Sequence, residues 1–359
     1  MEKIRAGIIG CGGIANGKHM PAIKQVKEIE LWAFCDLIPE RAEKAAKEYG
    51  MEGAKCYTDY RSLLEDPSLD AVYVCTPNRS HSEITVAALH AGKNVMCEKP
   101  MAINYAEAQK MLQAAKETGK ILTIGYQNRY RQDSRYLKQE CEAGALGDIY
   151  FGRARAIRRR GVPTWGVFIN EYEQGGGPLI DIGTHALDLT LWCMNNYKPK
   201  YAVGSVFHKL NNQTQPGNMF GPWDPDKFTV EDSAFGYIVM ENGAAIILES
   251  SWAINCLEIG EAITMLCGTE AGADMYDGLR INGVKHDTQY ILKPEFQSGG
   301  VDFYTGETPD APVLEQKTFA NAVLGKGKLT VLPEQAAVVT RILDAIYESA
   351  KTGKPVYFD

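Results

Sequence analysis

Asp181 and His185 stand four residues apart in the run Gly175-Gly176-Gly177-Pro178-Leu179-Ile180-Asp181-Ile182-Gly183-Thr184-His185. On a helix their side chains share one face. Pro178 suits a first helical turn, where a missing N–H costs nothing. Leu187, Leu189, Leu191 and Trp192 give that helix an apolar side to bury. An imidazole beside a carboxylate can hold and move a proton, and the same residues also describe a capped helix around a satisfied core histidine. The three glycines are expected to let the chain run close to a cofactor and substrate, where side chains would collide. One histidine and one aspartate are too few ligands for a structural zinc site, so no metal is expected.

Lys99 is the second chemical signal. It follows the apolar run Asn94 to Cys97, stands beside Glu98 and precedes Pro100. At a nicotinamide edge, an ammonium there can hold a substrate oxygen and stabilise developing alkoxide charge. Otherwise it is a surface lysine in a strand-exit turn. Pro100 is a candidate for a cis bond, which about one X–Pro bond in twenty adopts.

Groups of this kind need a scaffold, and the first third of the chain reads as one. Ile4 to Ile9 is a short apolar strand running into Gly10-Cys11-Gly12-Gly13-Ile14-Ala15, a G-x-G-x-x-A pattern. Gly10 and Gly12 permit a tight turn and close backbone approach to a pyrophosphate, and Ala15 lets helix pack on strand. A second strand, Glu30 to Cys35, ends at Asp36. That is near the interval of ~20 residues at which a carboxylate accepts hydrogen bonds from the adenosine ribose. It would repel a 2′-phosphate and no arginine stands beside it, so NAD is expected rather than NADP. Its competing role is an N-cap for a helix over Pro39 to Tyr49.

Strand and helix then alternate. Helices are expected at 59–65, at 80–90 with Ser80 as cap and Glu83 closing a capping box, and at 105–118 with Gly119 as the stop. Strands are expected at 71–75, 94–97 and 121–125. Such βαβ units build a parallel sheet, whose ligands bind beyond the carboxyl ends of the strands. The glycine loop, Asp36, Thr76-Pro77-Asn78 and Glu98-Lys99 all fall on that edge.

Past residue 126 the pattern changes, which divides the chain into residues 1–126 and 127–359. Helices are expected at 131–142 and 178–195, and strands at 148–158, 200–207, 229–239, 244–253 and 261–266. Turns such as Glu241-Asn242-Gly243 point to hairpins and an antiparallel sheet. Asn211 to Asp226 reads as a loop whose Met219, Phe220 and Trp223 pack locally or wall a pocket or a subunit contact. Arg153 to Arg160 holds five arginines in eight residues. It is either the charged face of a strand or a patch for a cofactor phosphate, a substrate or another subunit. Pro333 to Lys351 reads as an amphipathic helix.

Bulk properties narrow the class. The 359 residues suffice for two cores, and 45% hydrophobic with 23% charged residues is ordinary for a globular protein. A net charge of −7 argues against nucleic-acid binding. Nine cysteines include no Cys-x-x-Cys and read as small buried hydrophobes in a reducing compartment. There is no signal-peptide pattern and no apolar run long enough to span a bilayer. A cytoplasmic protein with neither membrane nor nucleic-acid partners is expected.

Taken together, the glycine loop, Thr76-Pro77-Asn78, Glu98-Lys99-Pro100 and Gly175-Gly176-Gly177 followed by Asp181 and His185 resemble the glucose–fructose oxidoreductase / inositol dehydrogenase / MocA family. The resemblance covers essentially the whole chain. It implies an α/β fold: an N-terminal Rossmann doubly wound parallel sheet, then a C-terminal α+β domain with an open, mostly antiparallel sheet that serves for homo-oligomerisation. It implies bound NAD(P) and a sugar, inositol or related polyol substrate, with NAD favoured here by Asp36.

Carried over by motif position, the resemblance makes Lys99, Asp181 and His185 the catalytic group. The cofactor set becomes Gly10, Gly12, Gly13, Ile14, Ala15, Asp36, Thr76, Pro77, Asn78, His81, Glu98, Lys99, Gln127 and Trp165. The substrate set becomes Lys99, Arg158, Trp165, Asp181 and His185. Trp165 either stacks on a sugar or the nicotinamide or packs in the core.

The runs 158–166 and 218–225 are similar to a subgroup of gut-bacterial enzymes that oxidise the C3 hydroxyl of glucosides, which makes glycoside 3-oxidation the expected activity. The alternatives are an inositol dehydrogenase, a redox-neutral NAD-dependent enzyme that cleaves the glycoside, and a non-catalytic sugar or NAD sensor. The Tyr-Pro-Thr-His run associated with the cleaving enzymes is replaced here by Val162-Pro163-Thr164-Trp165.

Overall fold

Six short runs pair in parallel to make the first sheet: β1 (Ile4–Ile9), β2 (Ile29–Cys35), β3 (Lys55–Tyr57), β4 (Ala71–Val74), β5 (Asn94–Cys97) and β6 (Leu122–Ile124). Their order is β3-β2-β1-β4-β5-β6, the doubly wound arrangement whose order reverses between β1 and β4. β4 is buried throughout and β1 nearly so, as expected where helices cover both faces of a sheet. The computed structural model describes residues 3–213, 217–296 and 310–358. They fall into two compact units, Met1–Tyr130 with Pro309–Ala337, and Arg131–Thr308 with Val338–Asp359.

The return of 309–337 to the first unit has no counterpart in the sequence reading. Its helix, Ala311–Val323, packs Phe319 edge-on against Tyr73 of β4, with ring centroids 5.6 Å apart. It also brings Glu315, 1% exposed, to Lys18. The Lys18 ammonium lies 2.6 Å from Glu98 Oε1 and 3.2 Å from Glu315 Oε2. His19 Nε2 lies 2.7 Å from the same Glu98 oxygen. Burial alone would raise the Glu98 carboxyl, but Lys18 and His19 outweigh it and hold the group well below the usual carboxylate range.

The second sheet runs β14-β13-β12-β11-β7-β10-β9-β8-β15. Its strands are β7 (Ile149–Ile157), β8 (Pro199–Phe207), β9 (Ser233–Met240), β10 (Ala245–Ser251), β11 (Gly260–Gly268), β12 (Ala271–Asp274), β13 (Arg280–Lys285), β14 (Thr288–Leu292) and β15 (Val356–Tyr357). Among the described residues of this sheet, only β7 and β10 pair in parallel. Alternation assigns the faces. Ile238, Ile246, Leu248, Ala154 and Leu266 are fully buried on the face carrying the helix Thr184–Met194. On the other face, Arg153 and Arg155 share Glu249, with Nε to Oε2 at 2.6 and 3.1 Å. These two arginines of the basic run are thus met by one acid of their own sheet, Glu249.

Two local expectations change. Ser80 does not cap the helix His81–His90: its hydroxyl donates to Thr76 Oγ1 and Pro77 O. Glu83 instead accepts from Tyr60 and Arg61. β3, β12 and β15 are two to four residues long, too short to carry a period. No described helix is long and apolar enough to cross a membrane.

Lys18→Met leaves two buried carboxylates without their shared cation. We expect it to destabilise the first unit by about 3–5 kcal/mol, read by urea unfolding at neutral pH. Because the folded Glu98 value lies below the unfolded one, its contribution is present above pH ~4.5 and is lost as the pH falls through the folded value. The wild-type advantage over Lys18→Met therefore shrinks in acid. An equal gap at pH 7 and in strong acid would contradict this.

Candidate active site

The glycine loop follows β1. Gly10 has φ +92°, and a Cβ there would stand 2.7 Å from the Cys75 carbonyl oxygen. The turn itself therefore requires glycine at that position. Gly12 and Gly13 differ, since nothing lies within 4 Å of where their Cβ atoms would be. Open backbone at the start of a helix is what a pyrophosphate needs, and the loop fits a dinucleotide on that observation. The helix then widens into a π-turn over Ala15–His19. Asn16 braces it by donating to Cys11 O and Gly12 O at 2.7 and 2.8 Å. Ala15 is fully buried, and Ile14 is exposed.

Asp36 ends the next strand. Its Oδ2 accepts from Cys11 N–H at 2.9 Å and its Oδ1 from Ile38 N–H at 2.9 Å. The N-cap of the following helix is Ile38, so Asp36 ties the glycine loop instead of capping. Each carboxylate oxygen accepts more than one bond, which leaves capacity for ribose hydroxyls.

At the ends of β4 and β5 two more loops are joined by His81. Its Nδ1 lies 2.8 Å from Pro100 O and its Nε2 2.9 Å from Thr76 O. Burial pushes this imidazole below its ordinary value, against the pull of the two carbonyls. Pro77 is exposed, Thr76 half-buried and Asn78 buried. The Lys99–Pro100 bond is cis. Lys99 is half-buried, and its backbone N–H donates to Glu98 Oε2 at 3.0 Å. Gln127 Oε1 accepts from Lys18 at 3.4 Å.

In the second unit, Asp181 and His185 lie on one continuous helix and are 8% and 6% exposed. The expected α-helix from Pro178 begins instead as a π-turn, Leu179–Gly183, before the α-helix Thr184–Met194. Asp181 Oδ2 accepts from the indole N–H of Trp252 at 3.1 Å. Ser250 donates to Pro178 O at 2.6 Å. Glu231, 3% exposed, accepts from Gly177 N–H at 2.8 Å, Leu179 N–H at 3.1 Å and the Tyr347 hydroxyl at 2.8 Å. Burial lifts its carboxyl to about 7, and these donors oppose the rise.

The triple glycine has a reason within the protein itself. Gly175 has φ +77° and ends the helix Glu171–Gln174. A Cβ on Gly176 would overlap the Tyr347 hydroxyl, and one on Gly177 the Glu231 carbonyl. The missing side chains make room for the protein's own Tyr347 and Glu231.

Trp165 is exposed, edge-on to Phe220 with centroids 4.9 Å apart and to Phe168 at 5.8 Å. Asn218 fixes this ledge through Val162 N–H, Val162 O and Gly221 O. Within the loop, Trp223 is buried and donates to Asn211 O at 2.7 Å. Arg158 makes a two-pronged pair with Glu261, both bonds 2.7 Å. Glu231, Trp252 and Tyr347 belong to no motif. Glu231 and Trp252 fall within the expected strands 229–239 and 244–253 and Tyr347 within the expected helix 333–351, which hints at burial but names no partner. Among the described residues no group of three or more His, Cys, Asp or Glu side chains could hold a metal ion.

Comparison with known proteins agrees with this geometry. Residues 4–126 match the GFO_IDH_MocA oxidoreductase family, NAD-binding Rossmann fold, and residues 134–273 match the GFO/IDH/MocA C-terminal domain. The chain is 35% identical to D-glucoside 3-dehydrogenase of Escherichia coli (strain K12) over 98% of its own length and 97% of the other. It is 26% identical to scyllo-inositol 2-dehydrogenase (NAD(+)) of Bacillus subtilis (strain 168) over 100% and 97%. Its fold matches levoglucosan dehydrogenase, solved with NADH and levoglucosan, at a TM-score of 0.83 and 21% identity over 99% of both chains.

Gly176→Ala forces a methyl group into the space of the Tyr347 hydroxyl. We expect a loss of about 1–3 kcal/mol, seen as a lower melting temperature. Unchanged melting would show that Tyr347 moves aside freely.

Proposed function

We propose that this chain, which belongs to the GFO/IDH/MocA family of NAD-binding oxidoreductases, reversibly oxidises a secondary ring hydroxyl of a glucoside, at C3. The observation that carries the reading is the end-to-end similarity to the Escherichia coli D-glucoside 3-dehydrogenase.

In this reading Gly10, Gly12, Gly13, Ile14 and Ala15 hold the pyrophosphate, and Asp36 holds the adenosine ribose. Thr76, Pro77, Asn78, His81, Glu98, Gln127 and Trp165 complete the cofactor surroundings. NAD, when bound, supplies the hydride acceptor. His185 takes the proton of the substrate hydroxyl as general base. Lys99 donates to the same oxygen and stabilises its growing negative charge. Asp181, fixed by the Trp252 indole, orients the substrate hydroxyl. Arg158 and Trp165 border the glycoside, with Trp165 offering a flat face to an apolar group.

The open face of the second sheet is the oligomer contact in this proposal. It mixes Phe235, Tyr237, Ile247 and Met265 with the Arg153–Glu249–Arg155 pairs, and a face both apolar and charge-paired suits a specific interface.

The test is to incubate protein, NAD and methyl β-D-glucopyranoside and to locate the new carbonyl by NMR. We expect the 3-keto product, with turnover reduced by a factor of about 100 or more in Lys99→Ala and His185→Ala while NADH binding persists. Oxidation of inositols alone would replace the glucoside reading, and normal turnover in both variants would remove these residues from catalysis. Ile247→Glu is expected to lower the mass measured by light scattering to that of a smaller assembly. An unchanged mass would place the contact elsewhere.

A further inference from the structure

The helix that carries Asp181 and His185 begins with a problem of hydrogen bonding. The first N–H groups of any helix have no partner within it, and a π-turn reaches one residue further back than an α-turn. Here the opening turn is π, Pro178 has no N–H, and the Asp181 N–H already closes onto Gly177 O at 3.0 Å. Of the remaining donors, Gly177 N–H and Leu179 N–H both point to one carboxylate, that of Glu231, and Ile180 N–H turns to the Tyr347 hydroxyl. Tyr347 adds a third donor to the Oε1 already taken by Leu179. Gly176 and Gly177 press the backbone so closely onto Tyr347 and Glu231 that a methyl group would overlap either partner. The clamp and the glycine turn are fitted to each other.

We propose that Glu231, held by Tyr347, is a positioning residue that sets the first turn of this helix and through it the direction of the Asp181 carboxylate. Asp181 is the first residue whose amide bonds back to the clamped Gly177 carbonyl, so a shift of Gly177 is passed to Asp181 through one hydrogen bond. Ser250 holds the neighbouring Pro178 carbonyl, and Trp252 holds the Asp181 side chain. The clamp restrains the Gly177 and Leu179 amides, which those two do not touch. An amide at position 231 offers one acceptor oxygen and turns its NH₂ toward a second donor, so Glu231→Gln keeps the size and breaks the cap.

The inference rests on the dehydrogenase reading for its kinetic arm and on the fold alone for its exchange arm. With methyl β-D-glucopyranoside and NAD, Glu231→Gln is expected to lower kcat per NADH-binding site on the order of 10- to 100-fold, with KM for NAD unchanged. Tyr347→Phe is expected to lower it less. The double variant should lose less than the two single losses combined, because Tyr347 and Glu231 share one hydrogen bond and Tyr347 adds only its contact to Ile180; a loss of general stability would add in full. Amide hydrogen exchange at Leu179 and Asp181 should speed up in each variant. Unchanged turnover per site and unchanged exchange would overturn the proposal.

If Glu231→Gln does not fold, Tyr347→Phe alone decides by the same two readings. If the wild type leaves the glucoside untouched, the dehydrogenase reading fails by itself. The exchange rates then decide the clamp, faster exchange supporting it and unchanged exchange overturning it.

Discussion

A carboxylate taken out of water has to be met by donors, and three acidic side chains of this protein meet theirs in backbone N–H groups of the segments that carry proposed site residues. Asp36 receives Cys11 N–H of the glycine loop. Glu98 receives Lys99 N–H. Glu231 receives Gly177 N–H and Leu179 N–H. Each pins a loop or helix start that would otherwise be free to reorient. The cost of burying the charge is offset in part because the donors are themselves groups that needed partners, though at Glu231 burial still prevails and lifts the carboxyl to about 7. Glu98 adds Lys18, His19 and, through Lys18, Glu315 from the returning helix, which binds a late segment of the chain into the first unit.

Both helices that carry proposed site residues contain a π-turn in their opening turns, Ala15–His19 and Leu179–Gly183. Such turns are rare and concentrate at functional positions. Their physical consequence here is a shortage of internal hydrogen bonds at the helix start. Asn16 and the Glu231–Tyr347 pair make up the shortage from outside. The helix entrance is then fixed by side chains, so its geometry depends on a few contacts that substitution can remove one at a time.

The second sheet separates two tasks by strand alternation alone. One face buries Ile238, Ile246 and Leu248 and carries the helix with Asp181 and His185. The opposite face keeps Arg153, Arg155 and Glu249 in pairs between apolar neighbours. A run that reads as five arginines in a row of charge is thus split by geometry. Arg153 and Arg155 belong to the sheet face, Arg158 to Glu261, and Arg160 to Asn255 and nearby carbonyls.

The linear sequence determined what local physics controls. Apolar runs of four to six residues became β1, β4 and β5, and Gly10 was required by its own backbone torsion. The helix Tyr105–Thr118 stops at Gly119 as its left-handed cap dictates. The strands and the loops at their carboxyl ends follow from period and turn chemistry, which need only neighbours in the chain. The tertiary structure decided which distant groups meet. Tyr347 reaches Glu231 across 116 residues and Trp252 reaches Asp181 across 71, and the helix Ala311–Val323 brings Glu315 to Lys18. It also packs Gly176 against Tyr347 and Gly177 against Glu231, where a side chain would not fit. No periodicity encodes such pairs, because a buried polar atom takes whichever partner the packing of remote elements brings within reach.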